Sequence, residues 1–314
     1  MLGRTAGELF WMCRYLERCE NTARLVDAGF RMSLTRSSAG QTEWNSVLET
    51  LDARHAFEAR HGVPTVDKVT DFLIRDRSNP ASVIEVYRLA RDNARRTRTA
   101  LTLELWEAIN ESWMALLELL KRPVTSAGVP ELLSNIRRHS ALVRGALFGT
   151  LLRNDIYCFC NIGQLIERAD NMARILNVKY YALLPMAGSG GSPLNNVQWE
   201  MLLRSASAER AYHWTHQGEI SPTSIANFLI LDRQLPRSLA YCYQELTRQL
   251  DWLAVAYEDS GLPSQELATT LGQNLTGLTM TEILSAGLQP FIAQFLRDNA
   301  KVASQIETDY RFYS

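Results

Sequence analysis

The stretch YLERCENTAR places Glu17, Arg18, Asn21 and Arg24 on a segment with helical periodicity, and LIERADNMAR repeats the same types at Glu167, Arg168, Asn171 and Arg174. A carboxylate can accept a proton or hold a cation. A guanidinium grips carboxylate or phosphate bidentately. Asparagine in a helix interior costs roughly 0.7 kcal/mol relative to alanine, because its amide competes for backbone hydrogen bonds, so two equivalent asparagines call for a reason. On a helical wheel Arg14, Glu17, Arg18, Asn21 and Arg24 share one arc, and Phe10, Leu25 and Ala28 project into it. In the second stretch Gln164, Glu167, Arg168, Asn171 and Arg174 share an arc with Cys160, Ile175 and Val178. A polar stripe broken by apolar residues is easier to bury than to expose.

Buried charges must be paired and hydrogen-bonded. Three readings follow: a salt-bridge lattice that fixes helix register, a ligand or catalytic site lined by Glu17 and Glu167, or a solvated face. Two glutamates on facing helices could hold a divalent cation through hard oxygen ligands, with asparagine oxygen assisting. Iron of the dinuclear type would need Glu-x-x-His, whereas the i+3 residues are Glu20 and Asp170, which leaves Mg²⁺ as the metal such a site would take. YRLARDNARRTR adds Arg88, Arg91, Arg95 and Arg98, read as one helix face that is either solvated or an anion-binding wall.

Other chemistry finds little support. The five histidines stand in no Ser/His/Asp or Cys/His context, and His213 with His216 lacks the glutamate of a zinc-protease helix. The five cysteines, Cys158 and Cys160 among them, form no CxxC pair and read as reduced, buried thiols. The Gly188 to Ser192 stretch lacks the Lys-Ser/Thr ending of a phosphate loop and reads as a connector.

The elements that must position these residues are helices. Segments of 3.6-residue periodicity are separated by short breaks such as RHGVPT and KRPVTSAGVP. In ELWEAINESWMALLELL, Trp106, Ile109, Trp113, Leu116 and Leu120 share a face opposite Glu104, Glu107, Glu111 and Glu118. Trp44 matches Trp199 and Ala56-Phe57 matches Ala211-Tyr212 at an offset of 155, and FLIRDRSNPAS matches FLILDRQLPRS at 156. Colinear matches with a slowly growing offset predict an all-α helical bundle built from two tandem, pseudo-symmetric helical repeats, 1–150 and 151–314, packed as one compact domain. Each Asp-Arg…Pro segment reads as a helix end with proline in the first turn of the next helix.

The chain has 314 residues, 46% of them hydrophobic, enough to bury a substantial core. Its formal charge of −1 gives no pull toward nucleic acid or anionic membrane. No basic-then-apolar leader and no long uncharged apolar run appear, so a soluble cytoplasmic protein is expected, with no nucleic acid and no membrane among its partners.

The motif Trp11-x-x-Arg14-Tyr15-x-Glu17-Arg18-x-x-Asn21, the helix start Asn79-Pro80-x-Ser82 and the motif Trp106-Glu107-x-x-Asn110, together with IGQLIERADNMARIL and FLILDRQLPRSLAYCY, resemble the bacterial alpha-E family over essentially the whole chain. The resemblance implies an all-helical domain found beside or fused to circularly permuted ATP-grasp ligases and near transglutaminase-like peptidases. That company implies a part in ATP-dependent amide or peptide bond formation, or in modifying a peptide. The positions that carry over are Arg14, Glu17, Arg18, Asn21 and Arg24; Glu104, Glu107 and Asn110; and Glu167, Arg168, Asn171 and Arg174. On this expectation Glu17, Glu167, Glu104 and Glu107 are the candidate catalytic residues, and the arginines and asparagines bind a peptide or amino-acid substrate. No catalytic motif of the chain's own is recognisable and no phosphate loop appears, so ATP would sit on the partner ligase. The second half lacks a counterpart to the Glu104, Glu107, Asn110 helix, and Gln164 replaces Arg14, so any site is asymmetric. Two further readings stand beside this one: a non-catalytic interaction protein whose polar stripes are structural, and a magnesium-dependent enzyme.

Overall fold

The computed structural model describes residues 1–35, 40–180, 193–216 and 221–313. Among these there are fifteen α-helices and no strand, so the chain is all-α. The Gly188 to Ser192 stretch lies outside the described residues. The chain divides into two compact units, Met1–Gln164 with Tyr310–Ser314, and Leu165–Asp309.

The first unit holds α1 (Gly3–Thr35), α2 (Gly40–Thr50), α3 (Arg54–His61), α4 (Val66–Ile74), α5 (Val83–Arg96), α6 (Leu103–Leu119) and α7 (Val129–Thr150). The boundary between units falls inside α8 (Asp155–Ile175). Helix α1 is the axis of this unit, packed against α5, α7, α2 and α4. Contact on so many sides leaves it little solvent-facing surface, which is why Leu9, Phe10, Met12, Leu25 and Val26, pointing in different directions, are all buried. Its polar residues are therefore drawn inside along with them. Helix α8 meets it at Gly163, where a Cβ would stand 2.2 Å from the Phe10 carbonyl oxygen. Only glycine permits that approach. Helix α6 packs as its periodicity predicts, with Ile109, Trp113 and Leu116 buried and Glu104, Glu107, Glu111 and Glu118 exposed.

The second unit holds the rest of α8 and α9 (Pro193–Ser205), α10 (Glu209–Thr215), α11 (Pro222–Leu231), α12 (Leu239–Tyr257), α13 (Pro263–Gly277), α14 (Met280–Ala286) and α15 (Leu288–Asp309). Hydroxyl caps set several starts: Thr65 and Thr102 in the first unit, Ser238 in the second, and full capping boxes at Ser221 and Thr279.

Each unit contains the same local devices at the spacing of the internal match. Asp52 and Ser207 turn the chain in the left-handed region (φ 54° and 56°), and the next residue donates back into the preceding helix, Ala53 to Leu48 at 2.8 Å and Ala208 to Leu203 at 2.7 Å. An ion pair straddles each corner with its signs exchanged, Glu49 with Arg54 and Arg204 with Glu209. Phe57, His61 and Phe72 form a three-ring cluster in the first unit, as Tyr212, His216 and Phe228 do in the second.

Two sequence readings are corrected. Pro80 and Pro236 do not sit in a first helical turn; each lies two residues before Ser82 or Ser238, which takes the N-cap position. Asp76 and Asp232 shape the turn upstream by accepting the backbone N–H of Ser78 and Gln234, both at 2.8 Å. Arg98 does not continue the α5 face: it starts a 3₁₀ turn beyond the helix end, with its guanidinium over Trp106.

Candidate functional site

Helix α1 buries Glu17, Glu20 and Asn21 almost completely, and α8 brings Gln164 to the same place. The Gln164 Nε2 donates to Glu17 Oε2 at 3.0 Å. One turn along α1, Glu20 accepts from Arg24 Nε at 2.9 Å and forms a close ion pair with Arg144 of α7. A second pair joins the same two helices, Arg137 to Asp27 at 2.7 Å. The spacing from Glu20 to Asp27 equals that from Arg137 to Arg144, two turns each, so antiparallel helices present both pairs in register.

Beside these groups lies a cavity of about 30 Å³. Its polar wall is Cys13, Glu17, Glu20, Ser140, Arg144 and Gln164, and Leu16, Val143 and Leu147 supply the apolar remainder. That volume has room for a water-sized group rather than a whole amino acid. The apolar side lowers the local dielectric, which strengthens any charge-assisted hydrogen bond made inside. The Cys13 thiol is pushed well above its usual range, first by its hydrogen bond with Cys160, then by burial and the nearby Cys160 and Glu17. It is therefore a protonated wall of the cavity and no nucleophile. All five cysteines are buried, as the sequence reading expects.

The other sequence-derived candidates are placed as follows. Arg14 lies over Trp11 at 4.5 Å and Arg18 over Tyr15 at 5.9 Å, so both lean on aromatic rings of their own helix. Glu104 and Glu107 are exposed on α6 and form no part of the cavity wall, while Asn110 accepts from Arg91 Nε at 2.8 Å. In the second unit Glu167 is buried, Arg168 donates to the Pro236 carbonyl at 3.1 Å and Arg174 pairs with Asp170 at 2.7 Å. Asn171 is half-buried, whereas Asn21 is buried, so the two asparagines are not environmental equivalents. Beside Glu167, Asn299 donates to the Ile166 carbonyl at 3.3 Å and accepts from the Tyr243 hydroxyl at 2.8 Å. Burial, with Cys242, Asp298 and Asp170 near, drives the Tyr243 phenol well up, so it stays a donor.

Glu20, Arg144, Ser140 and Asn299 are the participants that sequence reasoning missed. Arg144 and Ser140 share a face of α7 with Arg137, at i, i+3 and i+7, a stripe the sequence reading did not single out. Gln164, read from the sequence as a lost cation, instead supplies the donor to Glu17. Among the described residues no group of three or more His, Cys, Asp and Glu side chains could hold a metal ion.

No curated protein and no solved structure matches the chain. Residues 1–310 match the Alpha-E family, described as a predicted alpha-helical domain with a conserved ER motif. Glu-Arg occurs here at 17–18, 167–168 and 209–210, the first two at the heart of the polar stripes. With nearly its whole length matched, the chain belongs to the Alpha-E family.

Proposed function

We propose that this protein is the helical partner of an ATP-grasp carboxylate-amine ligase in amide or peptide bond formation, and that the cavity beside Glu17 receives the amine end of the substrate. The observation that carries the reading is the cavity itself: a buried carboxylate, Glu17, with a fixed amide donor, a hydroxyl and a protonated thiol around a water-sized space, whose one lining cation, Arg144, is paired with Glu20. A primary amine or ammonium is of that size and is a natural partner for a carboxylate. In this role Glu17 orients the amine and accepts its proton as it attacks an acyl phosphate that the partner makes from a substrate carboxylate and ATP; the C–N bond forms as the C–O bond to phosphate breaks and inorganic phosphate leaves. The ligase supplies ATP. Glu104 and Glu107, exposed on α6 and absent from the cavity wall, take no part in this step.

The test is reconstitution of the chain with a circularly permuted ATP-grasp ligase, ATP and an amino-acid mixture, with products read by mass spectrometry. The reading expects an amide product that needs both proteins. A ligase that makes the same product at the same rate alone would overturn it.

One observation favours a second reading, in which the polar stripe is structural: Glu20 is gripped between Arg24 and Arg144, and Arg137 with Asp27 repeats the link. The two readings divide by residue. Glu20 and its arginines carry stability, and Glu17 carries substrate.

A further inference from the structure

Between Arg248 and Arg297 the chain has no lysine, arginine or histidine, yet it has five acids, Asp251, Glu258, Asp259, Glu266 and Glu282. This is a local excess in a chain whose total charge is only −1. The same stretch leaves large apolar side chains in solvent: Val255 is 81% exposed and Trp252 41%, one helical turn apart on α12, with Tyr257 and Leu267 partly exposed nearby in sequence. The preceding base, Arg248, is occupied by Glu245.

The corner between α12 and α13 is built rather than loose. Glu258 ends α12 in the left-handed region, and Asp259 N–H returns to the Ala254 carbonyl at 3.0 Å. Gln265 Nε2 donates to Asp251 at 2.6 Å while its Oε1 accepts from Gly261 N–H at 3.2 Å, and Ser264 N–H donates to Asp309 at 2.8 Å. A surface held this way loses little freedom on binding.

We infer that the α12–α13 corner is a docking surface for a cationic amphipathic segment of a partner protein, with Val255 and Trp252 meeting its apolar anchor and the acids Asp251, Glu258 and Asp259 meeting its lysines or arginines. Exposed aromatic and aliphatic side chains inside a polar rim are the anatomy of protein interfaces. The charge selects among occupants. Nucleic acid and anionic membrane surfaces would be repelled by it, and a basic protein segment would be steered toward it. This inference stands independently of the Glu17 cavity.

The test titrates the full chain into a fluorescein-labelled Leu/Lys amphipathic helix peptide and reads anisotropy, with a Leu/Glu peptide of the same pattern as control. The Leu/Lys peptide should bind saturably, more weakly as salt rises, with affinity reduced about tenfold by Val255→Ser and by Asp259→Lys. Both positions are exposed, so circular dichroism and melting should match the unsubstituted chain. Absence of Leu/Lys binding, equal binding of the Leu/Glu peptide, or unchanged affinity in both variants would overturn the inference.

Discussion

At the residue scale, Glu17 is defined by what surrounds it: an amide from Gln164, a thiol that cannot ionise at ordinary pH, and a small space. The raised Cys13 thiol makes a prediction with a definite sign. The unfolded chain releases this proton near pH 8.5 and the folded chain does so only well above it, so Cys13 contributes full stability below about pH 8.5 and loses it as pH rises further. Urea midpoints should fall with increasing pH above that point, with a slope of about 1.4 kcal/mol per pH unit from this group. In Cys13→Ala that part of the slope should vanish, and the same slope in both proteins would contradict the assignment. The burial of Glu17, Asn21 and Glu167 was readable from apolar residues intruding on the polar arc. The roles of Glu20 and Gln164 were not, because a wheel gives a direction but not the partner that waits there.

At the scale of elements, the axis helix α1 is held by two devices, a close crossing with α8 and a pair of ion links to α7. Gly163→Ala should destabilise by about 3 kcal/mol, since the new methyl meets backbone that cannot move aside without shifting a helix. A melting temperature equal to that of the parent would show that the helices separate more readily than the contact implies. Arg144→Ala removes one of the two cations that neutralise a buried carboxylate and should cost about 2 kcal/mol in urea denaturation. Arg137→Ala, whose Asp27 partner is more accessible, should cost about 1 kcal/mol or less. Equal losses would mean that Glu20 is hydrated in solution. The helices were legible from periodicity, including the exposed acids of α6. The α1–α7 link was not, because Glu20 and Arg144 lie far apart in sequence and neither sits in a motif that points to the other.

At the scale of the whole molecule, the membership in the Alpha-E family and the all-α fold agree with the sequence reading. We infer a tandem duplication from the corner residues Asp52 and Ser207, the exchanged ion pairs and the two three-ring clusters. The two polar stripes differ in chemistry: Glu17 borders a cavity and accepts from Gln164, while next to Glu167 in sequence the Ile166 carbonyl accepts from Asn299, itself bonded by Tyr243. Such a difference leaves periodicity untouched, so helix periodicity alone does not disclose the cavity beside Glu17. Glu17 is the residue proposed to handle the amine of the substrate. Glu17→Gln keeps an acceptor for Gln164 and removes the charge, so it isolates that claim from folding. In the reconstituted ligase assay at varied amine concentration, Glu17→Gln should lose product formation while its urea midpoint stays near the parent's and Glu104→Gln retains activity. Full product formation by a folded Glu17→Gln protein would contradict the account.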